Sequence, residues 1–275
     1  MSSAVPTPEP RPSGLRVPLV AAGLLFVLPA TTAAQATAED WCADVGRNQY
    51  CEVRQLNAPM TGNSLNIDVG PNGSIRVEGY SGRDVRVTAR VQARAGNANA
   101  ARDLAGDVNV RLAAGELRAT GPRTSGRTGW SVSVRVQVPE GMAIEARTTN
   151  GSITVASTGA PVNARTTNGT IRLSDLVGRV EARSTNGAIH AAFRQGNAPL
   201  EGVQLRTTNG AIRLQLPEQA SAQLHLSTTN GSINTELPLQ IQGRVSRRSL
   251  TGTLGSGGPE VRAATTNGSI RITGS

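Results

Sequence analysis

Val180-Glu181-Ala182-Arg183-Ser184-Thr185-Asn186-Gly187-Ala188-Ile189-His190-Ala191 is the stretch from which the fold can be read. Before the Asn-Gly pair the residues alternate with period two, the mark of a strand with one buried face. Val180, Ala182 and Ser184 share a phase, and Asn186 continues it. After Gly187 the phase slips by one, so Ile189 and Ala191 become inward. A slip at Asn-Gly predicts a bend or bulge, because both residues tolerate positive φ.

The same tetrapeptide, Thr-Thr-Asn-Gly or Ser-Thr-Asn-Gly, ends at Gly151, Gly169, Gly187, Gly210, Gly231 and Gly268. The intervals are 18, 18, 23, 21 and 37 residues, the last splitting as 21 plus 16 around a worn copy at Leu250-Thr251-Gly252-Thr253-Leu254. A repeat this regular predicts a solenoid in which each unit stacks on the last. The expected fold is all-β and parallel β-helix-like, with coils turning at Thr-Thr-Asn-Gly and pairing about 4.8 Å apart. Equivalent residues then form columns. Ile153, Ile171, Ile189, Ile212, Ile233 and Ile270 would form the core. Asn150, Asn168, Asn186, Asn209, Asn230 and Asn267 would form an inward turn ladder that satisfies turn backbone. The alternative is a series of β-hairpins, since Asn-Gly is also a hairpin signal. Identical flanks in every copy favour the stack.

Upstream the pattern is strand-like but irregular. Leu65–Val69, Ser74–Glu78, Asp84–Val91, Val108–Leu112, Glu116–Thr120 and Ser131–Val138 read as strands, and Asn97 to Asp107 as one short helix. Gly121–Gly129 reads as an exposed loop. Pro71-Asn72-Gly73-Ser74-Ile75 reads as an early, degenerate repeat turn. One domain is expected over 37–275, with an irregular part at 37–138 and regular repeats at 139–275. Residues 1–36 read as a secretory signal: Arg11 and Arg16 lead an apolar Val17–Leu28, and Ala34-Gln35-Ala36 is a cleavage site. No lipobox precedes Cys42. In an exported chain the close pair Cys42 and Cys51 predicts a disulfide contributing about 2–3 kcal/mol through chain entropy.

All 28 basic residues are arginine; the sequence has no lysine. That points first to coding bias and second to function. Signal removal would leave 26 arginines against 18 carboxylates, a balance that favours anionic partners: acidic polysaccharide, surface phosphate polymers, extracellular DNA or the cell surface itself. Arg147, Arg165, Arg183 and Arg206 precede successive turns and form the candidate anion-binding column. A second column, Arg172, His190, Arg213 and Arg271, is interrupted by Thr154 and Asn234.

Catalysis is not expected. β-Helix lyases and hydrolases need paired carboxylates or bound calcium, whereas Glu140, Glu145, Asp175, Glu181, Glu201, Glu218, Glu236 and Glu260 stand singly. No cofactor or metal is implied, and the turns lack the Asp of calcium-binding repeats. The outward Thr149, Thr167, Thr185, Thr208, Thr229 and Thr266 could suggest an ice-binding file, but arginines flank them. Five aromatics would remain, too few for stacking platforms; this weighs against a lectin and against specific nucleic-acid binding.

Trp41-Cys42, Tyr50-Cys51-Glu52-Val53-Arg54, Asn72–Gly79, Trp130-Ser131-Val132, Gly255-Ser256-Gly257-Gly258 and the Asn-Gly turns together resemble a bacterial family of exported proteins called adhesins, of unknown function. They are similar to auto-transporter adhesin head domains. The resemblance spans about residues 41–275 and implies a non-catalytic β-solenoid at the periplasm, cell surface or outside the cell. The sequence ends at Ser275 after the last repeat, so neither a translocating barrel nor a sorting anchor is expected. A rival expectation is a structural envelope protein whose exposed final coil, Val261–Ile272, meets a protein partner.

Intact-mass measurement of the protein exported by its host should give a chain beginning at Thr37. A mass that retains Val17–Leu28 would instead indicate an N-terminal anchor.

Overall fold

Repeating Asn-Gly corners divide the chain into short strands that fall alternately into two sheets. A computed structural model describes residues 40–43, 45–196, 199–241 and 246–274; the expected signal at 1–36 lies outside them. After a single 3₁₀ turn at Asp40–Cys42 come β1 (Gln49–Pro59), β2 (Ser64–Asp68), β3 (Ile75–Tyr80), β4 (Asp84–Arg94), the helix α1 (Ala98–Gly106), β5 (Asn109–Ala113), β6 (Glu116–Thr120) and β7 (Gly129–Pro139). The repeats follow as strand pairs. They are β8 (Ala143–Asn150) with β9 (Ile153–Ala156), β10 (Val162–Asn168) with β11 (Ile171–Leu176), and β12 (Gly178–Asn186) with β13 (Ile189–Phe193). Next come β14 (Leu200–Asn209) with β15 (Ile212–Leu216), and β16 (Ala222–Asn230) with β17 (Ile233–Thr235). Two further strands, β18 (Leu239–Ile241) and β19 (Ser249–Leu254), precede the last pair, β20 (Glu260–Asn267) with β21 (Ile270–Gly274).

The first sheet runs β1-β4-β7-β3-β9-β11-β13-β15-β21-β17 and the second β18-β19-β16-β20-β14-β12-β10-β8-β2-β6-β5. The architecture is therefore mostly β, open and solenoid-like, with parallel pairing between coils and antiparallel pairing in the caps. Parallel pairing excludes hairpins as the repeat unit. The stack begins with β2 and β3, because Asn72 bridges to Asn150 and Ile75 lies in register with Ile153. The core lies between the sheets. Ile75, Ile153, Ile171, Ile189, Ile212 and Ile270 are almost wholly buried, each contributing about 1.5–3 kcal/mol relative to an exposed side chain. Ile233, at the edge of the stack, is only half-buried.

At the irregular end, Asn97 caps α1 by accepting from the Ala100 N–H. Arg54 reaches the other end of the helix and donates to the carbonyls of Ala105 and Val108, with Glu52 bound to its Nε at 2.7 Å. A cation among the last carbonyls both satisfies them and complements the helix dipole.

Three expectations are corrected at the corners. The repeat asparagines are exposed, not inward. The buried member of each turn is instead the first Thr or Ser: Thr148, Thr166, Ser184, Thr207, Thr228 and Thr265. Each hydroxyl donates to the glycine carbonyl of the adjacent coil at 2.8–3.0 Å, as Ser184 does to Gly169. The ladder itself runs along the surface in the order 72-150-168-186-209-267-230, each asparagine Nδ2 donating to the Oδ1 of the one before it at 2.7–2.9 Å. Nor do the six repeat Asn-Gly pairs use positive φ, unlike the early Gly73 at 144°. Glycine is required for close approach: a Cβ at Gly151, Gly169, Gly187, Gly210, Gly268 or Gly231 would lie 1.9–2.2 Å from the neighbouring glycine's carbonyl oxygen.

The third correction concerns order. The last coil in sequence, β20–β21, is not terminal. It sits between β14–β15 and β16–β17, with Asn267 between Asn209 and Asn230. The supposed worn copy at Leu250–Leu254 is β19, which runs antiparallel along the far edge of β16. That return leaves only the near edge of β16 free for β20. The Val261–Ile272 segment is therefore flanked by coils on both sides and is not the exposed final coil, although its outward residues, Arg262 and Arg271 among them, remain exposed.

In Gly187→Ala the clashing atoms are backbone, so the expected loss exceeds the roughly 1–3 kcal/mol of ordinary overpacking. Ser184→Ala should cost about 1 kcal/mol for its buried hydrogen bond, and Thr185→Ala less than about 0.5 kcal/mol. Urea melts of the three variants rank them; a Gly187→Ala variant as stable as Thr185→Ala would contradict the corner geometry.

Candidate functional site

Parallel register turns each sequence repeat into a straight row of side chains on the outer face of a sheet. On the second sheet the row is Asp68, Arg147, Arg165, Arg183, Arg206, Ala264 and Ser227. The structure thus places the four candidate arginines side by side. It also places carboxylates among them, from the adjacent row that contains Glu145, Asn163 and Glu181. Arg147 pairs with Glu145. Glu181 receives Arg165 at 2.9 Å and Arg183 at 3.7 Å. Only Arg206 of the four lacks a carboxylate partner among the described residues. Further along, Arg262 and His225 share Glu260, whose carboxyl is held below its usual range chiefly by the Arg262 hydrogen bond.

The first sheet differs. Its row is Arg135, Arg76, Thr154, Arg172, His190, Arg213, Arg271 and Asn234, one residue from each of eight adjacent strands. Arg76, Arg172, Arg213 and Arg271 are exposed. Among the described residues none of them forms an ion pair. Neighbouring strands are about 4.8 Å apart, so like charges here repel unless an anion lies over them. The neutral Thr154 and His190 space the arginines. Burial first, then Arg213 and Arg172, lower the pKa of His190 below its ordinary 6.5. Arg213 Nη1 stands 3.4 Å from His190 Nε2. A guanidinium only donates, so that nitrogen is the acceptor of a neutral imidazole.

The row ends under an aromatic lid. The Cys42–Cys51 disulfide, with Cα atoms 5.7 Å apart, ties the 3₁₀ turn to β1. The Arg135 guanidinium lies 4.1 Å from the centre of the Trp41 ring, a cation–π contact. Arg76 and Arg135 are members of the row that sequence reasoning missed. Arg76 had a signal, since it follows Ile75 as Arg172 follows Ile171. Arg135 had none, because β7 lies outside the repeat.

A family profile matches residues 60–273. The chain belongs to the Toastrack DUF4097 family. No curated protein matches it in sequence. Among solved structures, a proposed cell adhesion protein from Clostridium sporogenes is similar at 12% identity and a TM-score of 0.47, covering 82% of this chain and 100% of that one. A proposed adhesin from Bacteroides fragilis is similar at 11% identity and a TM-score of 0.41, covering 82% and 97%. A proposed lipid binding protein from Parabacteroides distasonis is similar at 9% identity and a TM-score of 0.26, covering 81% and 96%. Among the described residues of this Toastrack chain, no helix is long and apolar enough to cross a membrane.

Proposed function

We propose that this Toastrack protein is an exported, non-catalytic interaction module that binds anionic polymers at the cell envelope or surface. The observation that carries the reading is the unpaired arginine row of the first sheet, Arg76, Arg172, Arg213 and Arg271. Guanidinium groups in line match the repeated carboxylates or phosphates of a linear polymer, and each can bind them through two hydrogen bonds. The second-sheet column, Arg147, Arg165, Arg183 and Arg206, is the weaker surface, since Glu145 and Glu181 pair with three of its arginines and offset two of its four charges. Export is supported by the Cys42–Cys51 disulfide, because such bonds persist in oxidising compartments. The non-catalytic part rests on carboxylates that stand singly along the repeats.

Binding to an acidic polysaccharide such as hyaluronate should weaken steeply with salt. The Arg172/Arg213/Arg271→Gln triple variant should lose about three counterions' worth of that salt dependence. An Arg147/Arg165/Arg183→Gln triple variant should lose much less. Titration calorimetry at two ionic strengths measures both. Unchanged binding in the first variant, or no binding by the wild type at low salt, would reject the row as a binding surface.

A further inference from the structure

Within the arginine row one place differs from the rest. Around His190 the outer face of the first sheet sinks into a hollow of about 220 Å³, lined by His190, Ala192, Arg213, Gln215, Arg271 and Thr273 among others. Its origin is local. Ala192 and Gln215 are register partners, and Gln215 is in turn paired with Thr273. The methyl group of Ala192 leaves the floor low beneath longer neighbours. Into this hollow His190, Arg213 and Arg271 project from three consecutive strands, β13, β15 and β21. Those strands span about 10 Å in two steps, within reach of two arginines converging on one group.

The donors also differ in kind. Arg213 and Arg271 bring guanidinium forks, Thr273 a hydroxyl, Gln215 an amide and His190 a ring nitrogen. They rise from two rows and three strands and line the hollow on more than one side. The lone pairs of a carboxylate lie in the plane of its two oxygens, whereas the two charged oxygens of a phosphodiester, on a tetrahedral phosphorus, accept over a wider cone and suit donors that converge from several directions.

We propose that this hollow is a subsite for one phosphate group of a phosphodiester-linked polymer, held by Arg213, Arg271 and His190, and that binding is coupled to protonation of His190. The proposal rests on the anionic-polymer reading of the same face and names its preferred chemistry. The charged groups facing His190 are Arg172 from β11, Arg213 from β15 and Arg271 from β21, while β9 contributes the neutral Thr154. Beyond the end of β13, Arg194 is held by Asp175 at 2.7 Å. Without an anion, and above its free-state pKa, His190 is neutral and accepts from Arg213. With a phosphate above it, the repulsion is offset and a protonated ring gains an acceptor.

The sign follows from linkage. The free-state pKa of His190 lies below 6.5, lowered by burial and by Arg213 and Arg172. A bound anion raises it. The extra affinity is then fully present below the free-state pKa and is lost as pH rises through the higher, bound-state pKa. A phosphodiester keeps its single charge across this range, so the titration belongs to the protein.

The sequence has two histidines, so a His225→Asn background isolates the His190 ring signal in NMR. Poly(glycerol phosphate) is the probe, hyaluronate the carboxylate control, and phosphatidylglycerol vesicles the lipid form of the same phosphodiester. The polymer should raise the His190 pKa by about one pH unit, which corresponds to an about ten-fold gain in affinity on acidification. That gain should vanish in His190→Gln. Ala192→Leu fills the hollow without altering any charge, and should weaken poly(glycerol phosphate) binding about ten-fold while hyaluronate binding and the circular dichroism spectrum stay unchanged. An unmoved His190 titration, with Ala192→Leu binding as wild type and hyaluronate still bound, overturns the subsite alone. Failure of the wild type to bind either polymer overturns the row and the subsite together. Vesicles bound in preference to the polymer would assign the subsite to a lipid headgroup and overturn the polymer source.

Discussion

At every corner of the stack the carbonyl of one glycine lies where the next coil's glycine would carry a Cβ, 1.9–2.2 Å from that position. This contact holds the coils at strand spacing through the bend, where a sheet would otherwise splay. It admits no side chain, and that fixes glycine. It leaves a carbonyl facing the core, which the buried Thr or Ser hydroxyl satisfies. On the outside the asparagine amides bond to one another from coil to coil. Stacked amide ladders of this kind also stabilise cross-β assemblies, where identical side chains repeat at the same spacing. Three residues of the tetrapeptide therefore answer three demands of a single close approach. The second Thr answers none of them and lies exposed.

Because every corner makes the same demands, the coils are interchangeable. Thr207 pairs with Thr265 and Thr228 with Thr265 in the same way that Thr166 pairs with Ser184. Nothing at the corner obliges the sixth copy to follow the fifth. Neighbouring order is set elsewhere, by the antiparallel return of β19 along the outer edge of β16. The result is a final coil inserted within the stack, with its apolar residues Val261, Ala263, Ile270 and Ile272 wholly buried.

The same register aligns charge. An arginine repeated at one position must face arginines at strand spacing, and the two sheets resolve this differently. On the second sheet, Glu145 and Glu181 lie diagonally among Arg147, Arg165 and Arg183 and cancel much of the repulsion. These exposed pairs contribute little to stability, about 0–1 kcal/mol each, but they reduce the attraction of that face for anions. On the first sheet the spacing residues are Thr154 and His190, which are neutral, so the field of Arg76, Arg172, Arg213 and Arg271 remains directed outward. A field of this kind favours a polyanion laid along the row and makes its binding sensitive to salt.

The sequence by itself determined the local geometry. Period-two alternation placed most of the strands, though not β1, β18 or β19; the Asn-Gly pairs placed the corners, the isoleucine column placed the core, and Asn97 to Asp107 placed the helix, because each depends on residues within a few positions of one another. The outward placement of the second threonines and the adjacency of Arg147, Arg165, Arg183 and Arg206 were legible for the same reason. The side taken by the asparagines was not. Alternation extrapolated through Ser184 points Asn186 inward, but the bend turns it out where the chain crosses between sheets. What only the tertiary structure decided was set by partners distant in sequence: the insertion of β20–β21, the glycine contacts in place of positive φ, and which of the two arginine rows is engaged in ion pairs. Arg76 and Arg135 are 59 positions apart in the chain and adjacent across β3 and β7. Adjacency of that kind is fixed by which edges the caps leave open for pairing, and no local pattern in the sequence encodes it.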